Sequence, residues 1–230
     1  MTIITLGSSK GGVGKTTTTI ILGTELARMG HNVTLIDCDK LNHSLERWHE
    51  RAPVPDNLKF IGNASEAEML RLIKSHKKTD GFLIVDLPGV ASQLTGTALA
   101  RSDLFLVPMA DSSIDALVGA NALDLVVNEQ ERLGKLIKHA VVLTMTSHIM
   151  SKEEGRIRDS LNENNIHIIY PPLGRRAAFS ALFFHGGTLH DKADGDDCMA
   201  KENGLPAAKT NAETFVRAVL TFLQKGASHD

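Results

Sequence analysis

The chain has 230 residues, of which 42% are hydrophobic, and its 25 basic side chains are balanced by 27 acidic ones. This length and apolar content fit one α/β domain with a substantial core. The net charge of -2 excludes a protein that attracts nucleic acid through its overall charge. DNA binding would therefore require a local basic patch.

The cysteine content and the short apolar runs predict where in the cell the protein is located. Cys38 and Cys198 lack CxxC spacing and are too few for a disulfide framework, so we predict a reducing, cytoplasmic location. The first six residues lack the charged start of a signal peptide and are predicted to form a strand. No apolar run approaches the roughly 18 residues of a membrane span, and we expect no membrane contact.

Apolar runs bounded by turn residues alternate with segments of helical period along the chain. In order, the predicted strands are 3–6, 33–36, 58–61, 82–85, 104–107, 140–143 and 166–169. The predicted helices are 16–29, a segment opening at Ser65, 115–132 and 151–164. Glu68 and Glu154 follow Ser65 and Ser151 at capping-box spacing. This alternation predicts a single α/β domain, residues 1–230, with a doubly wound, mostly parallel sheet.

One stretch near the end interrupts the alternation. Residues 186–209 are rich in Gly, Asp and Ala without a sustained period, and we predict a mobile loop there. An amphipathic pattern resumes over 211–225, which predicts a C-terminal helix. Packing of that helix on the sheet explains its apolar stripe without a membrane surface.

The loop after the first strand carries the strongest chemical signal. A glycine-rich turn between a strand and a helix exposes backbone N–H groups to a phosphate, and a lysine adds charge. We predict that Lys15 contacts the β- and γ-phosphates of ATP and that the Thr16 hydroxyl binds Mg²⁺. A plain connecting turn would leave the fixed lysine and glycine spacing unexplained. The loop comprises Lys10, Gly11, Gly12, Val13, Gly14, Lys15, Thr16 and Thr17.

Two acidic motifs follow in order. Asp37 and Asp39 come directly after the apolar strand 33–36, and Asp86 comes after the strand 82–85. With Ser9 where the usual P-loop has glycine, and with the additional Lys10, the loop resembles that of the ParA/MinD family of ATPases. The resemblance covers about residues 1–183 and implies a SIMIBI-like P-loop NTPase fold.

The resemblance also implies roles for single residues. Asp37 is expected to help hold the Mg²⁺ shell and Asp39 to orient the attacking water. Asp86 matches the Walker B carboxylate, which contacts Mg²⁺ through water. In this family the additional lysine, here Lys10, reaches across a dimer interface to the partner's nucleotide. ATP would then hold a homodimer together until hydrolysis releases it, with Lys10, Lys15 and Asp39 as the catalytic set.

Adenine recognition is expected near two chain segments. Pro171 and Pro172 match the family's proline-containing turn, and Met145 lies at the end of the preceding strand. Backbone groups there would read the edge of the base. A rigid strand exit is the alternative reading of the two prolines.

DNA contacts are expected from scattered basic residues, as the resemblance implies. The candidates are Arg175, Arg176, Lys201 and Arg217, for each of which a solvated surface charge is the alternative. Residues 40–44 depart from the family's Pro-Gln-Gly and look more like ParA-like proteins of conjugative and tumour-inducing plasmids.

The expected function is a slow ATPase that binds DNA non-specifically as an ATP dimer and serves plasmid partition or DNA transfer. A partner protein of unknown identity would stimulate it, and the ATP form would associate with the nucleoid. The first alternative is a MinD-like ATPase that positions protein cargo or a secretion complex without DNA. A metabolic enzyme with the same loop is a third class, disfavoured because Lys10 suits a nucleotide-sandwich dimer.

Overall fold

The computed structural model describes residues 1–76, 80–89, 93–110, 113–147, 149–191 and 204–225, without the side chains of 76 and 113–119. Within these ranges, seven strands and eight helices alternate along the chain. Strands β1 to β7 are Thr2–Leu6, Val33–Asp37, Leu58–Ile61, Phe82–Asp86, Leu104–Ala110, His139–Thr146 and Leu173–Gly174. Helices α1 to α8 are Lys15–Arg28, Ser44–His49, Glu66–His76, Gln93–Leu99, Ser113–Leu133, Lys152–Glu163, Ala177–His185 and Leu205–Gln224.

The strands form one sheet in the order β3-β2-β4-β1-β5-β6-β7. Every strand pair recorded among the described residues is parallel. Strand β1 is central, between β4 and β5, so the loop that leaves its carboxyl end lies where the strand order changes direction. In parallel α/β sheets this position is where ligands bind.

Two apolar cores cover the two faces of the sheet. One core joins the sheet to α1, α2, α7 and α8 and includes the fully buried Trp48 and Phe215. The other joins it to α3, α4, α5 and α6 and includes Phe105 and Met69. Burial on both faces explains why strands such as β4 are apolar at nearly every position. The doubly wound α/β fold predicted from the sequence is confirmed.

The capping box at Ser65 is complete, and at Ser151 the described contacts include only the serine half, because Glu154 Oε1 bonds Arg158 and Oε2 has no partner among the described residues. The Glu68 backbone N–H donates to Ser65 Oγ over 3.2 Å, and the Ser65 N–H donates to the Glu68 carboxylate over 3.0 Å. The Glu154 N–H donates to Ser151 Oγ over 2.9 Å. These contacts satisfy N–H groups that the first turn of a helix leaves unpaired.

Two predicted boundaries are wrong. The expected strand 166–169 makes only an isolated bridge between Ile168 and Val141, and the seventh strand is Leu173–Gly174. The intervening prolines 171 and 172 have no N–H to donate to a sheet. The last helix begins at Leu205, not at 211, after a left-handed Gly204 and with Pro206 in its first turn, where proline is tolerated.

The predicted loop 186–209 divides into parts. Residues 186–189 are buried, and the Trp48 indole N–H donates to the Gly187 carbonyl over 2.9 Å. His190 Nε2 lies 2.7 Å from the carboxylate of the buried Glu25. Residues 192–203 lie outside the described residues.

Among the helices described, none has the length and apolar character needed to cross a membrane.

Candidate functional site

The phosphate loop, residues 10–17, connects the central strand β1 to helix α1. Gly12 and Gly14 have φ angles of 80° and 84°, in the left-handed region that glycine adopts readily. Gly14 is the N-cap of α1 and supplies no side-chain cap to the N–H groups of the first turn. Those N–H groups and the helix dipole favour an anion at this end of the helix. The local structure therefore matches the predicted phosphate site.

Lys15 is the first residue of α1 and is buried, with 6% of its surface exposed. Its Nζ donates to Ser8 Oγ over 3.1 Å and to the Lys10 carbonyl over 3.2 Å. Burial lowers the pKa of Lys15, while the charges of Asp86 and Asp39 act in the opposite direction. A phosphate would replace part of the lost hydration of this ammonium group. Ser8, which the sequence analysis did not single out, orients it.

The carboxylates of Asp37 and Asp86 end two neighbouring strands in register. Asp37 ends β2, Asp86 ends β4, and the two residues are Cα partners in the parallel ladder. Both are buried, with 2% and 1% of their surfaces exposed. Burial raises the pKa of Asp37. Two acidic groups are thus held at the carboxyl ends of neighbouring strands, and the charge of Asp86 acts on Lys15.

Asp86 carries an unsatisfied atom. Among the described residues, its Oδ1 has no hydrogen-bond partner, although the Thr16 hydroxyl bonds to the same carboxylate. Burial raises the pKa of Asp86 to about 7, against the opposing effects of Thr16 and Lys15. A buried, unpaired carboxylate oxygen is costly unless a cation compensates it.

These residues fit Mg²⁺ when the nucleotide supplies further ligands. No group of three or more His, Cys, Asp or Glu side chains within the described ranges could hold a metal by itself. Mg²⁺ typically uses one or two carboxylates together with substrate phosphates and water. Thr16, Asp37 and Asp86 provide oxygen donors of that kind.

Asp39 is half-buried, and its carboxylate stabilises the turn that follows β2. Its oxygens accept from the backbone N–H groups of Leu41 and Asn42 over 3.2 and 3.3 Å, and from Asn42 Nδ2 over 2.7 Å. The Asp39 N–H donates to Asp37 Oδ1 over 2.8 Å. The two acidic residues of this motif are therefore coupled through the backbone, and Asp39 lies close enough to Lys15 to affect its pKa.

A cavity of about 570 Å³, the base-side cavity, opens beside the phosphate loop. Met145, with a left-handed φ of 55°, lines it at the end of β6. The neighbouring Thr144 hydroxyl donates to the Val13 carbonyl over 2.9 Å and so links β6 to the phosphate loop. Pro171 and Pro172 line an adjacent cavity of about 200 Å³. The structure thus brings Met145 beside the phosphate loop and places Pro171 and Pro172 in a neighbouring cavity.

The predicted DNA-binding residues are in different surroundings. Arg175 and Arg176 line both cavities, one of which opens beside the phosphate loop. Arg217 is exposed on α8 and donates twice to Glu213 Oε1, over 2.8 and 3.1 Å. Lys201 lies outside the described residues. Of the candidates described, Arg175 and Arg176 thus share the two cavities, whereas Arg217 lines neither of them.

A phosphate loop on the central strand, a buried lysine and two paired strand-end carboxylates define a P-loop nucleotide-binding protein. The profile of the VirC1 protein family matches residues 1–216, and the chain belongs to that family.

Known proteins of the same type are similar over most of the chain. Protein ParA of Rhizobium radiobacter is 43% identical over 220 residues, which cover 95% of this chain and 96% of the relative. The chromosome-partitioning ATPase Soj of Thermus thermophilus is 30% identical over 73% of this chain and 80% of its own length. The structure of the septum site-determining protein MinD of Pyrococcus horikoshii, complexed with Mg-ADP, has a TM-score of 0.72 at 15% identity, with 95% of each chain covered. This last likeness concerns the fold alone.

Proposed function

We propose that this chain is an ATP-dependent switch that hydrolyses ATP slowly in the presence of Mg²⁺. With ATP bound it forms a homodimer, binds DNA non-specifically and associates with the nucleoid. It then acts in plasmid partition or in positioning DNA for transfer, and an unidentified partner protein stimulates hydrolysis. The names of the relatives, Protein ParA and the partitioning ATPase Soj, support this role.

The observation that carries the proposal is the contrast between the two loop lysines. Lys15 is buried and held inside the loop, whereas the Lys10 side chain is exposed and its carbonyl helps to hold Lys15. An exposed lysine, with its long side-chain stem, beside a phosphate site suits contact with an anion held by a second copy. The same nucleotide would then be bound by Lys15 of one copy and by Lys10 of the other.

The catalytic assignment follows from the charges at the site. Phosphoryl transfer to water needs positioned water and compensation of charge on the γ-phosphate. Lys10, Lys15, the loop N–H groups and Mg²⁺ held near Thr16 and Asp86 supply the positive charge. Asp39 orients the water, which requires a rearrangement of its present hydrogen bonds in the 39–42 turn.

The test uses an Asp39→Ala protein, in which ATP should bind without turnover. Light scattering should show a dimer with ATP and mainly monomer with ADP or no nucleotide, and a gel shift with DNA should occur only with ATP. Adding Lys10→Ala should abolish the dimer and the gel shift while ATP affinity changes little. Lys59→Ala, which removes an exposed lysine on β3, is the matched control and should change neither result.

A dimer that persists without Lys10, or without ATP, would refute the sandwich mechanism. An ATP dimer that shifts no DNA would favour the alternative, a protein-cargo or secretion-complex positioning ATPase. For the DNA-contact candidates Arg175 and Arg176, substitutions are interpretable only at saturating ATP, because both side chains line the cavities beside the phosphate loop.

A further inference from the structure

Asn211, in the second turn of α8, connects that helix to the segment that lines the base-side cavity. Its Nδ2 donates to the Pro172 carbonyl over 2.8 Å. Its Oδ1 accepts from the Gly174 N–H over 3.1 Å and from Arg176 Nε over 3.2 Å. One half-buried amide therefore binds three points of residues 171–176, which we call the proline loop.

Among the described residues, the proline loop is attached to the sheet through a short strand and one backbone hydrogen bond. Strand β7 contains two residues, and its ladder with β6 is irregular between Thr144 and Thr146. The Arg175 N–H donates to the Thr146 carbonyl over 2.9 Å. Because Pro171 and Pro172 carry no N–H, this part of the loop cannot be held by its own backbone donors. The Pro172 carbonyl instead accepts from the Asn211 amide, which attaches this part of the loop to α8.

The proline loop forms part of the wall of the space beside the phosphate site. Gly174 and Arg176 line both the base-side cavity and the smaller adjacent cavity, and Asn211 lines the latter. A nucleotide base is recognised by a few fixed polar groups in an otherwise apolar pocket, so the precision of the wall determines selectivity. A wall held in advance also lowers the entropic cost of binding.

We propose that Asn211 is a positioning residue that sets the affinity and selectivity of this site for the purine base. The proposal rests on the proposed function, namely that the site takes ATP. Asn211 acts through the proline loop and not on the phosphates, because the phosphate loop contributes other residues, Gly14 and Thr17, to the base-side cavity. Removing its amide should therefore affect ligands that carry a base and spare ligands that do not.

The experiment is calorimetric titration with Mg²⁺ and ATP, GTP or inorganic tripolyphosphate. Asn211→Ala should weaken ATP binding about tenfold, because the loop loses hydrogen bonds with a net contribution of about 1.4 kcal/mol to its order. The same change should reduce the preference for ATP over GTP. Affinity for tripolyphosphate should stay within about twofold of wild type. Thr214→Ala removes a hydroxyl contact on the exposed side of the same helix and is the matched control.

A second variant keeps the test valid if Asn211→Ala unfolds. Asn211→Asp retains acceptors for the Gly174 N–H and Arg176 but lacks the donor to the Pro172 carbonyl, so its ATP affinity should fall by an intermediate factor. An unchanged ATP affinity, or an equal loss for ATP and tripolyphosphate, would overturn the role of Asn211. Wild-type protein that binds tripolyphosphate but shows no additional affinity for ATP would instead refute the proposed function.

Discussion

Gly89 allows a direct test of the contact between the segment after β4 and the phosphate loop. A Cβ atom at this position would lie 2.8 Å from the Gly11 nitrogen, 2.9 Å from the Lys10 carbonyl carbon and 3.0 Å from the Lys10 oxygen. The backbone of Gly89 is outside the left-handed region, so the effect of Gly89→Ala is steric. The atoms it would meet belong to backbone and cannot rotate away.

The size of the effect follows from that distance. Ordinary van der Waals contact begins near 3.4 Å, so the loop or the β4 exit must move by about 0.6 Å. Overpacking of this kind costs about 1–3 kcal/mol, equivalent to about 5- to 150-fold in an equilibrium constant. We expect Gly89→Ala to be less stable without nucleotide and to bind ATP more weakly, because the displaced atoms include the loop N–H groups.

Urea unfolding without nucleotide and calorimetric ATP titration measure the two effects separately. Gly155→Ala is the matched control: a Cβ there meets nothing within 4 Å. In the helix interior it should raise stability by about 0.5–1 kcal/mol without changing ATP affinity. If Gly89→Ala binds ATP as wild type does, the contact does not couple the exit of β4 to the phosphate loop, and the prediction is wrong.

Two further predictions concern side chains at the site. Lys15→Ala should weaken ATP binding by about 100-fold or more, because it removes a buried charge that the loop dipoles cannot replace; calorimetric affinity equal to wild type would contradict the phosphate-site assignment. Burial raises the pKa of Cys38 to about 12, with Asp37 and Asp86 acting in the same direction. In a Cys198→Ser background, Cys38 should therefore react with iodoacetamide at about pH 8 only after unfolding, and mass spectrometry of native protein should find it unmodified.

Local sequence signals predicted much of the fold. The apolar run 82–85 identified a strand buried on both faces, and the capping contacts of Ser65 and Ser151 join residues only three apart. The phosphate loop is equally local, because its conformation follows from Gly12 and Gly14 and from the helix that begins at once. Features of this kind need no knowledge of distant chain segments.

Other features depend on contacts between residues far apart in sequence. The in-register pairing of Asp37 with Asp86 requires β2 and β4 to be neighbours, which the order of elements alone does not fix. Asn211 and the proline loop are more than 30 residues apart, and no motif marks Asn211. Arg175 lies beside the base-side cavity because it directly follows the short strand β7. The sequence pattern had predicted this seventh strand at residues 166–169.

That position of Arg175 links the proposed DNA contact to the nucleotide. Binding linkage requires that ATP raise DNA affinity by the same factor by which DNA raises ATP affinity. If Arg175 on the proline loop carries this coupling, then in hydrolysis-blocked Asp39→Ala protein an additional Arg175→Ala should reduce both factors together. Arg217 is paired with Glu213 on the exposed side of α8 and lines neither cavity, so Arg217→Ala should lower DNA affinity and leave the ATP factor intact. Fluorescence anisotropy with labelled DNA at fixed salt measures the first factor, and calorimetry with and without DNA measures the second. Coupling that survives Arg175→Ala at full strength would exclude the proline loop as its route and leave dimer formation through Lys10 as the connection between ATP and DNA.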